Sequence, residues 1–508
     1  MTISSNGVSL ERPNRRRISL AACALFLTML TWAFASPLGS TSDEWYHLGS
    51  IWCANGVDGT DCLDFNEPGE NGYYTGVAAI EDGSCFLDNA AEYVRCETAA
   101  AIKYPTNFKL YPSSFYRVMN IFVTSHPTLS VLAMRLVNGL IAVALFAGVL
   151  MVSKRRERLA WLTGYIFTLL PMTLYLTASI HPSGWAVTGT STSWLFLHSA
   201  ISTPREQKKE RNWSIALWVF SSLLVFASRY DAFMFVLFSN FVVLVIAFKI
   251  FERFRSFYLA TAAVLGSVAL YLTSRVNHMV SWIFDFPVEQ PQGWNKTSTW
   301  LTHYLIETPW VVIQSLGVED LGHRIAYNQS VRLPGVVWIF GIALLGSVLI
   351  ISAIRCSVEQ VVFLIVSYLL LAFVVLSFNG RLDRDLFKLS GRYVLPIFSF
   401  VIGYSIYLSK SPFQLIEIRR LRTILISSLS VIHALSLYAV TETNVDGQSH
   451  SLEPIHLDSN GWWWTGFPIG PNFLVIIGTI SFVWFLVHTL SMVDSLEVDV
   501  LATSKVPS

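Results

Sequence analysis

Six consecutive residues, Ser42-Asp43-Glu44-Trp45-Tyr46-His47, place two carboxylates and an imidazole just beyond the first long apolar run of the chain. Ionisable groups that close to hydrocarbon are costly to hold and mark functional sites by default. The chemistry they suit is general-base catalysis. A hydroxyl with a pKa far above ambient becomes a useful nucleophile only when a positioned carboxylate takes its proton. The competing reading, two ordinary carboxylates at a hydrated helix end, is about equally common for an acidic pair taken alone.

Cations further along supply the complementary charge. Arg392, within Ser390-Gly391-Arg392-Tyr393-Val394-Leu395-Pro396, stands at the mouth of an apolar segment, where its planar fork suits a phosphate. Arg229 and Asp231 frame a very short link and either pair with each other or face a cavity. Arg135 falls about two turns inside the second apolar segment. It either snorkels to the surface or meets a phosphate or carboxylate. His181 precedes Pro182-Ser183-Gly184, where the start of the next helix offers free N–H groups as an anion seat.

The elements that must position these groups are membrane helices. Of 508 residues, 53% are hydrophobic and 14% charged, whereas soluble domains carry roughly a quarter charged residues. Apolar runs of spanning length begin near Ile18, Leu129, Leu159, Gly184, Trp213, Ala232, Ser256, Pro334, Val361, Tyr393, Thr423 and Asn472, about twelve in all. Arg12 and Arg15 to Arg17 precede the first, which predicts a cytoplasmic N-terminus, and basic links then alternate with acidic ones. The first run is read as an anchor rather than a cleaved signal. The expected layout is a cytoplasmic tail over 1–17, a membrane domain over 18–493 and a cytoplasmic tail over 494–508. Two large extracytoplasmic segments interrupt the membrane domain, 37–128 and 274–333. Net charge is +1, so bulk electrostatics point to no nucleic-acid partner.

The first of those segments holds Cys53, Cys62, Cys85 and Cys96. On an oxidising face they are expected to form two disulfides, with three connectivities open. A metal site is the rival, without a Cys-x-x-Cys pair to support it.

Taken together, Asp43-Glu44 with His47, Tyr111-Pro112 with Phe115-Tyr116, Arg135, Pro182-Ser183-Gly184, Leu316-Gly317 with Asp320, and Gly391 through Pro396 resemble a family of bacterial multipass membrane proteins known as domain of unknown function 2142. That family in turn is similar to the type C glycosyltransferases, which use polyprenyl-phosphate sugars and keep an acidic motif in the first outer loop. The resemblance implies an all-α polytopic membrane protein of type C architecture in the plasma membrane. It also implies inverting transfer of a sugar from a polyprenyl-phosphate donor to a cell-envelope glycan or lipid-linked acceptor. Asp43 would be the base, Glu44 its neighbour or a ligand to Mg or Mn, and Arg392 and Arg229 the phosphate holders. His47, Arg135, His181, Asp231 and Tyr393 complete the expected substrate site. A transporter or flippase of lipid-linked saccharides would use the same arginines without a base, and a non-catalytic scaffold would need neither. The chain lacks the inverted repeats frequent in alternating-access carriers.

Overall fold

The computed structural model describes residues 15–56, 62–67, 70–75, 111–250, 308–309, 311–314, 331, 333–354, 356–379, 391–409, 419–446, 457–459, 462–464 and 468–494. The long helices are α1 (Arg15–Phe34), α4 (Pro127–Val152), α7 (Pro182–Ser202), α8 (Lys208–Ser228), α9 (Ala232–Ile250), α10 (Gly335–Ile354), α11 (Val358–Asn379), α13 (Arg419–Asp446) and α14 (Pro471–Asp494). Between them lie α2 (Glu44–Trp52), α3 (Ser113–Asn120), α5 (Arg155–Thr168), α6 (Pro171–Thr177) and α12 (Leu395–Leu408). Helices occupy eleven of the twelve expected positions. The one expected from Ser256 lies outside the described residues, as do Asp320, Cys85, Cys96 and most of 274–333.

By length and composition four described helices can each cross a bilayer: Arg15–Phe34, Pro127–Val152, Leu421–Val445 and Pro471–Met492. The pair α5 and α6 is a fifth if counted as one span. The chain is therefore a helical membrane protein. Its exposed large side chains, such as Leu140, Phe241, Ile350 and Ile480, suit a hydrocarbon solvent, in which helices satisfy their own backbone groups.

The third span was expected as one continuous helix from Leu159. Instead α5 and α6 meet at 91°. Pro171 sits at the first turn of α6, and Leu170 before it is extended at φ −78° and ψ 166°. Proline lacks the N–H that would continue the ladder and forces its predecessor out of the helical region, so the helix breaks there.

The centre of the bundle is α7, where every residue from Pro182 to Ala200 is buried. Its sequence is rich in Ser, Thr and Gly, and small residues let neighbouring membrane helices approach closely. It packs against α8, α9 and α12, while α1 packs against α14 and α4. The crossing of α5 and α12 is close. A Cβ added at Gly164 would stand 2.7 Å from the backbone N of Gly403, and backbone cannot yield as a side chain can. Gly164→Ala is expected to destabilise the fold by about 1–3 kcal/mol through overpacking. Thermal unfolding in detergent checks this, and an unchanged midpoint would contradict the close crossing.

The segment after α2 departs from the all-α expectation. Strands β1 (Cys62–Glu67) and β2 (Glu70–Thr75) pair antiparallel, and the residues between them are Pro68-Gly69, a turn sequence. A Cys53–Cys62 disulfide ties α2 to this hairpin, which removes two of the three connectivities. Of the other cysteines, Cys23 is exposed and Cys356 half-buried.

Candidate functional site

The site is assembled where the link after α1 meets the short link before α7. Two residues one turn apart on α4, Arg135 and Asn138, share a helix face and secure both. Arg135 donates from Nη1 to the carbonyls of Ala33 and Ser36, each at 2.7 Å, and from Nη2 to that of Pro37 at 2.7 Å. Its Nε donates to Glu44 Oε1 at 2.9 Å and Nη2 also to Glu44 Oε2. All five guanidinium N–H groups are thereby spent. Asn138 Nδ2 donates to the carbonyl of Ser179 at 2.7 Å, and its Oδ1 accepts from Trp185 Nε1 at 2.8 Å.

Glu44 is fully buried. Besides Arg135, its Oε2 accepts the N–H of Gly39 at 3.0 Å and its Oε1 that of Ile180 at 3.2 Å. Four donors fill the acceptor positions of the carboxylate. Glu44 thus clamps the 36–42 link, α4 and the link before α7 into one unit.

Asp43 is placed differently by a single backbone angle. It has φ 52° and ψ 12°, the left-handed region that Asp and Asn tolerate better than other non-glycine residues. That turn sends its side chain away from Glu44, and the carboxylate keeps 28% exposure. Arg392 Nη1 lies 2.6 Å from Asp43 Oδ2 and donates to Ser42 Oγ at 2.9 Å. His181 Nε2 lies 3.7 Å from the same Oδ2. His181 Nδ1 accepts the N–H of Ser183 at 2.9 Å, so in the neutral ring the proton sits on Nε2, facing Asp43.

Electrostatics follow from this arrangement. Burial pushes the Asp43 carboxyl up, but Arg392 and then His181 outweigh it and hold the group well below its ordinary 3.8. Burial lowers His181 to about 4 despite Asp43, and burial likewise lowers His47. Both imidazoles are neutral near pH 7. His47 shares a 3.1 Å hydrogen bond through Nδ1 with Tyr116 Oη, and its ring lies 5.0 Å from those of Tyr111 and His181.

Arg229 underlies Arg392. Its Nε and Nη2 pair with the two oxygens of Asp231, and Nη1 donates to Ser183 Oγ at 2.7 Å and to the carbonyl of Arg392 at 3.4 Å. The Tyr393 ring receives the Arg229 guanidinium at 4.5 Å and that of Arg392 at 5.3 Å. One continuous network therefore runs from Asp43 through Arg392 and Tyr393 to Arg229.

A family model described as "Predicted membrane protein (DUF2142)" matches residues 26–401, well over half of the chain. The chain belongs to that family. The match runs from within α1 to the middle of α12, so every group of the Asp43 network in this DUF2142 member lies within it, whereas α13 and α14 lie beyond it. No curated protein and no solved structure matches the chain.

In this DUF2142 protein the expected site residues do come together, with roles divided by their surroundings. Asp43, His181 and Arg392 meet directly, with Tyr393 beside them. Arg135, expected to hold substrate, has no N–H left for one. Glu44, expected as the neighbour of the base or a metal ligand, has no acceptor position left. Arg229 and Asp231 pair with each other, the plainer of the two sequence readings. The anion seat at the start of α7 is already capped, because the N–H of Ser183 goes to His181 Nδ1 and that of Gly184 to the His181 carbonyl. Ser42, Ser183 and Tyr116 stand in the quoted motifs, but no role in the site was expected of them. Ser42 adjoins the acidic pair, but nothing in the sequence shows that its hydroxyl meets an arginine 350 positions away.

Proposed function

We propose that this protein is a glycosyltransferase that moves a sugar from a polyprenyl-phosphate donor to a cell-envelope glycan or lipid-linked acceptor at the extracytoplasmic face of the plasma membrane. The observation that carries the proposal is the juxtaposition of Asp43, the carboxylate with an open face, and Arg392, a cation shaped for phosphate. Glu44, Arg135, Arg229 and Asp231 are consumed in holding the elements around these two.

In this reading the donor phosphate competes with Asp43 for Arg392. As the phosphate takes the guanidinium, the Asp43 carboxylate loses its counter-charge and becomes a better proton acceptor. The acceptor hydroxyl then attacks the anomeric carbon while its proton passes to Asp43. The bond from that carbon to the phosphate oxygen breaks, and its electron pair leaves on the lipid phosphate, where Arg392 stabilises the charge. Attack opposite the leaving group inverts the anomeric carbon. Half-buried Trp45, Tyr46, Tyr111 and Tyr393 offer aromatic faces for the sugar around Asp43. A Mg or Mn ion, if used, would take its carboxylate ligand from Asp43, because Glu44 is filled. The topology that goes with this reading has about twelve spans and a cytoplasmic N-terminus.

The test is transfer in proteoliposomes supplied with a panel of polyprenyl-phosphate sugars. Arg392→Gln is expected to cost about 1.5–3 kcal/mol of donor binding, read as a raised KM. It also shifts the pH profile. Arg392 is the main influence holding the Asp43 carboxyl down against burial. Without it the carboxyl pKa rises, so the variant loses activity at a higher pH than wild type as the medium is acidified. Donor that crosses the bilayer without being consumed would replace this reading with a flippase, and an unmoved acid limb would remove the Asp43–Arg392 pairing from the mechanism.

A further inference from the structure

A base must stay aimed while it works, because catalysis by a positioned group depends on held geometry. In the proposed reaction Asp43 gives up Arg392, the group 2.6 Å from its Oδ2, to the donor phosphate. Something else has to keep the carboxylate in line. His181 is the second group at that oxygen, with Nε2 3.7 Å from Oδ2.

The chain around His181 is fixed on both sides. The carbonyl of Ser179 accepts from Asn138 at 2.7 Å, the N–H of Ile180 goes to Glu44 at 3.2 Å, and Ser183 Oγ accepts from Arg229 at 2.7 Å. Pro182 opens α7 and leaves His181 extended, at φ −131° and ψ 129°, as a residue before proline must be. In that conformation the imidazole caps the helix, Nδ1 accepting the N–H of Ser183 at 2.9 Å. The ring is 1% exposed and packs edge to face with His47, centroids 5.0 Å apart. Its only proton is thereby held on Nε2.

Arg392 Nη1 lies 3.4 Å from that same Nε2. Both atoms carry N–H groups, so neither can accept from the other. Two donors this close are reconciled by an acceptor between them, and Asp43 Oδ2 faces both. The guanidinium holds it, whereas 3.7 Å is beyond hydrogen-bond range. We infer that His181 is a positioning residue that takes over Asp43 when phosphate claims Arg392, a shift of the carboxylate by roughly 1 Å bringing it onto the Nε2–H. A neutral donor then replaces a charged one. The base stays aligned while its affinity for a proton rises, because a charged partner favours the ionised form more strongly. His181 cannot carry the proton onward, since its one accepting nitrogen is committed to Ser183. This role rests on the transfer reaction proposed above.

The experiment separates the two ends of the imidazole in the full-length protein. His181→Asn keeps an acceptor for the Ser183 N–H, Asn being a favoured N-cap, and loses the donor facing Asp43. His181→Gln extends an amide N–H toward the position of Nε2 and gives up the cap. His181→Asn is expected to unfold in detergent near the wild-type midpoint and to lower kcat for transfer in proteoliposomes about 10–100-fold, with donor KM unchanged. Its acid limb in kcat should move to higher pH. Of the groups that act on the Asp43 carboxyl, Arg392, His181 and His47 hold it down against burial, and the variant removes one. His181→Gln should be less stable and yet recover part of kcat. A stable His181→Asn with wild-type kcat and acid limb, beside an inactive Asp43→Asn, would overturn the role of His181 and leave the transfer reading standing. An Asp43→Asn that transfers like wild type would overturn both.

Discussion

Asp43→Asn is expected to lower the rate of sugar transfer by about 10²–10⁴-fold, the range for loss of a positioned general base, while donor binding survives. The substitution is mild for the fold, because Asn accepts the left-handed backbone that Asp43 adopts at φ 52°. It also removes the carboxylate that competes for Arg392, so KM for the donor should stay level or fall. That split between kcat and KM distinguishes a base from a residue that only supports the site, since loss of support would raise KM. Steady-state transfer in proteoliposomes at matched folded protein checks it, and a variant that turns over like wild type would sink the assignment of Asp43. Linkage gives the same group a second signature. Its folded pKa lies below its ordinary 3.8, so the stability it contributes is fully present above that value and is lost only as the pH falls through the folded pKa. No loss of stability traceable to Asp43 is therefore expected between about pH 5 and pH 8.

The second large effect concerns the neighbouring carboxylate. Glu44 and Arg135 are each fully buried and paired, and removing one member of a buried pair costs about 3–5 kcal/mol because the other charge is left without compensation. Arg135→Met should be the harsher change, since it also strands the carbonyls of Ala33, Ser36 and Pro37. Glu44→Gln keeps one acceptor and is expected at the lower end. The double variant should cost less than the two single costs added together, with a coupling of about 0.5–3 kcal/mol. Unfolding in detergent measures each corner of that cycle. If Glu44→Gln left stability unchanged yet stopped transfer, Glu44 would be the base and the division of labour argued above would reverse.

The two carboxylates illustrate how far a linear reading reaches. That Asp43-Glu44 matters follows from charge beside an apolar segment, and Arg392 is likewise visible from its position at the start of a span. Which carboxylate faces the reaction is not visible, because adjacent residues differ only through the backbone turn between them. The same limit applies to Arg135. Its place inside a span allowed a phosphate, a carboxylate or the surface, and the choice of Glu44 rests on a contact across 91 positions. Pro171 was the overlooked local signal. A proline within an apolar run announces a break, yet whether the chain kinks slightly or turns through 91° depends on what packs against it. The Cys53–Cys62 bond likewise became definite only when the end of α2 was brought beside β1.

By itself, then, the sequence determined the solvent of this protein, the positions of its helices and the set of residues from which a site could be built. Hydropathy is a property of about twenty neighbouring residues, and the cost of a charge near hydrocarbon is paid wherever the chain folds. The tertiary structure alone decided which charges neutralise one another and which one stays open. A salt bridge or a shared hydrogen bond depends on a few ångströms between residues far apart in the chain. Glu44 met four donors there, while Asp43 kept an exposed face beside Arg392.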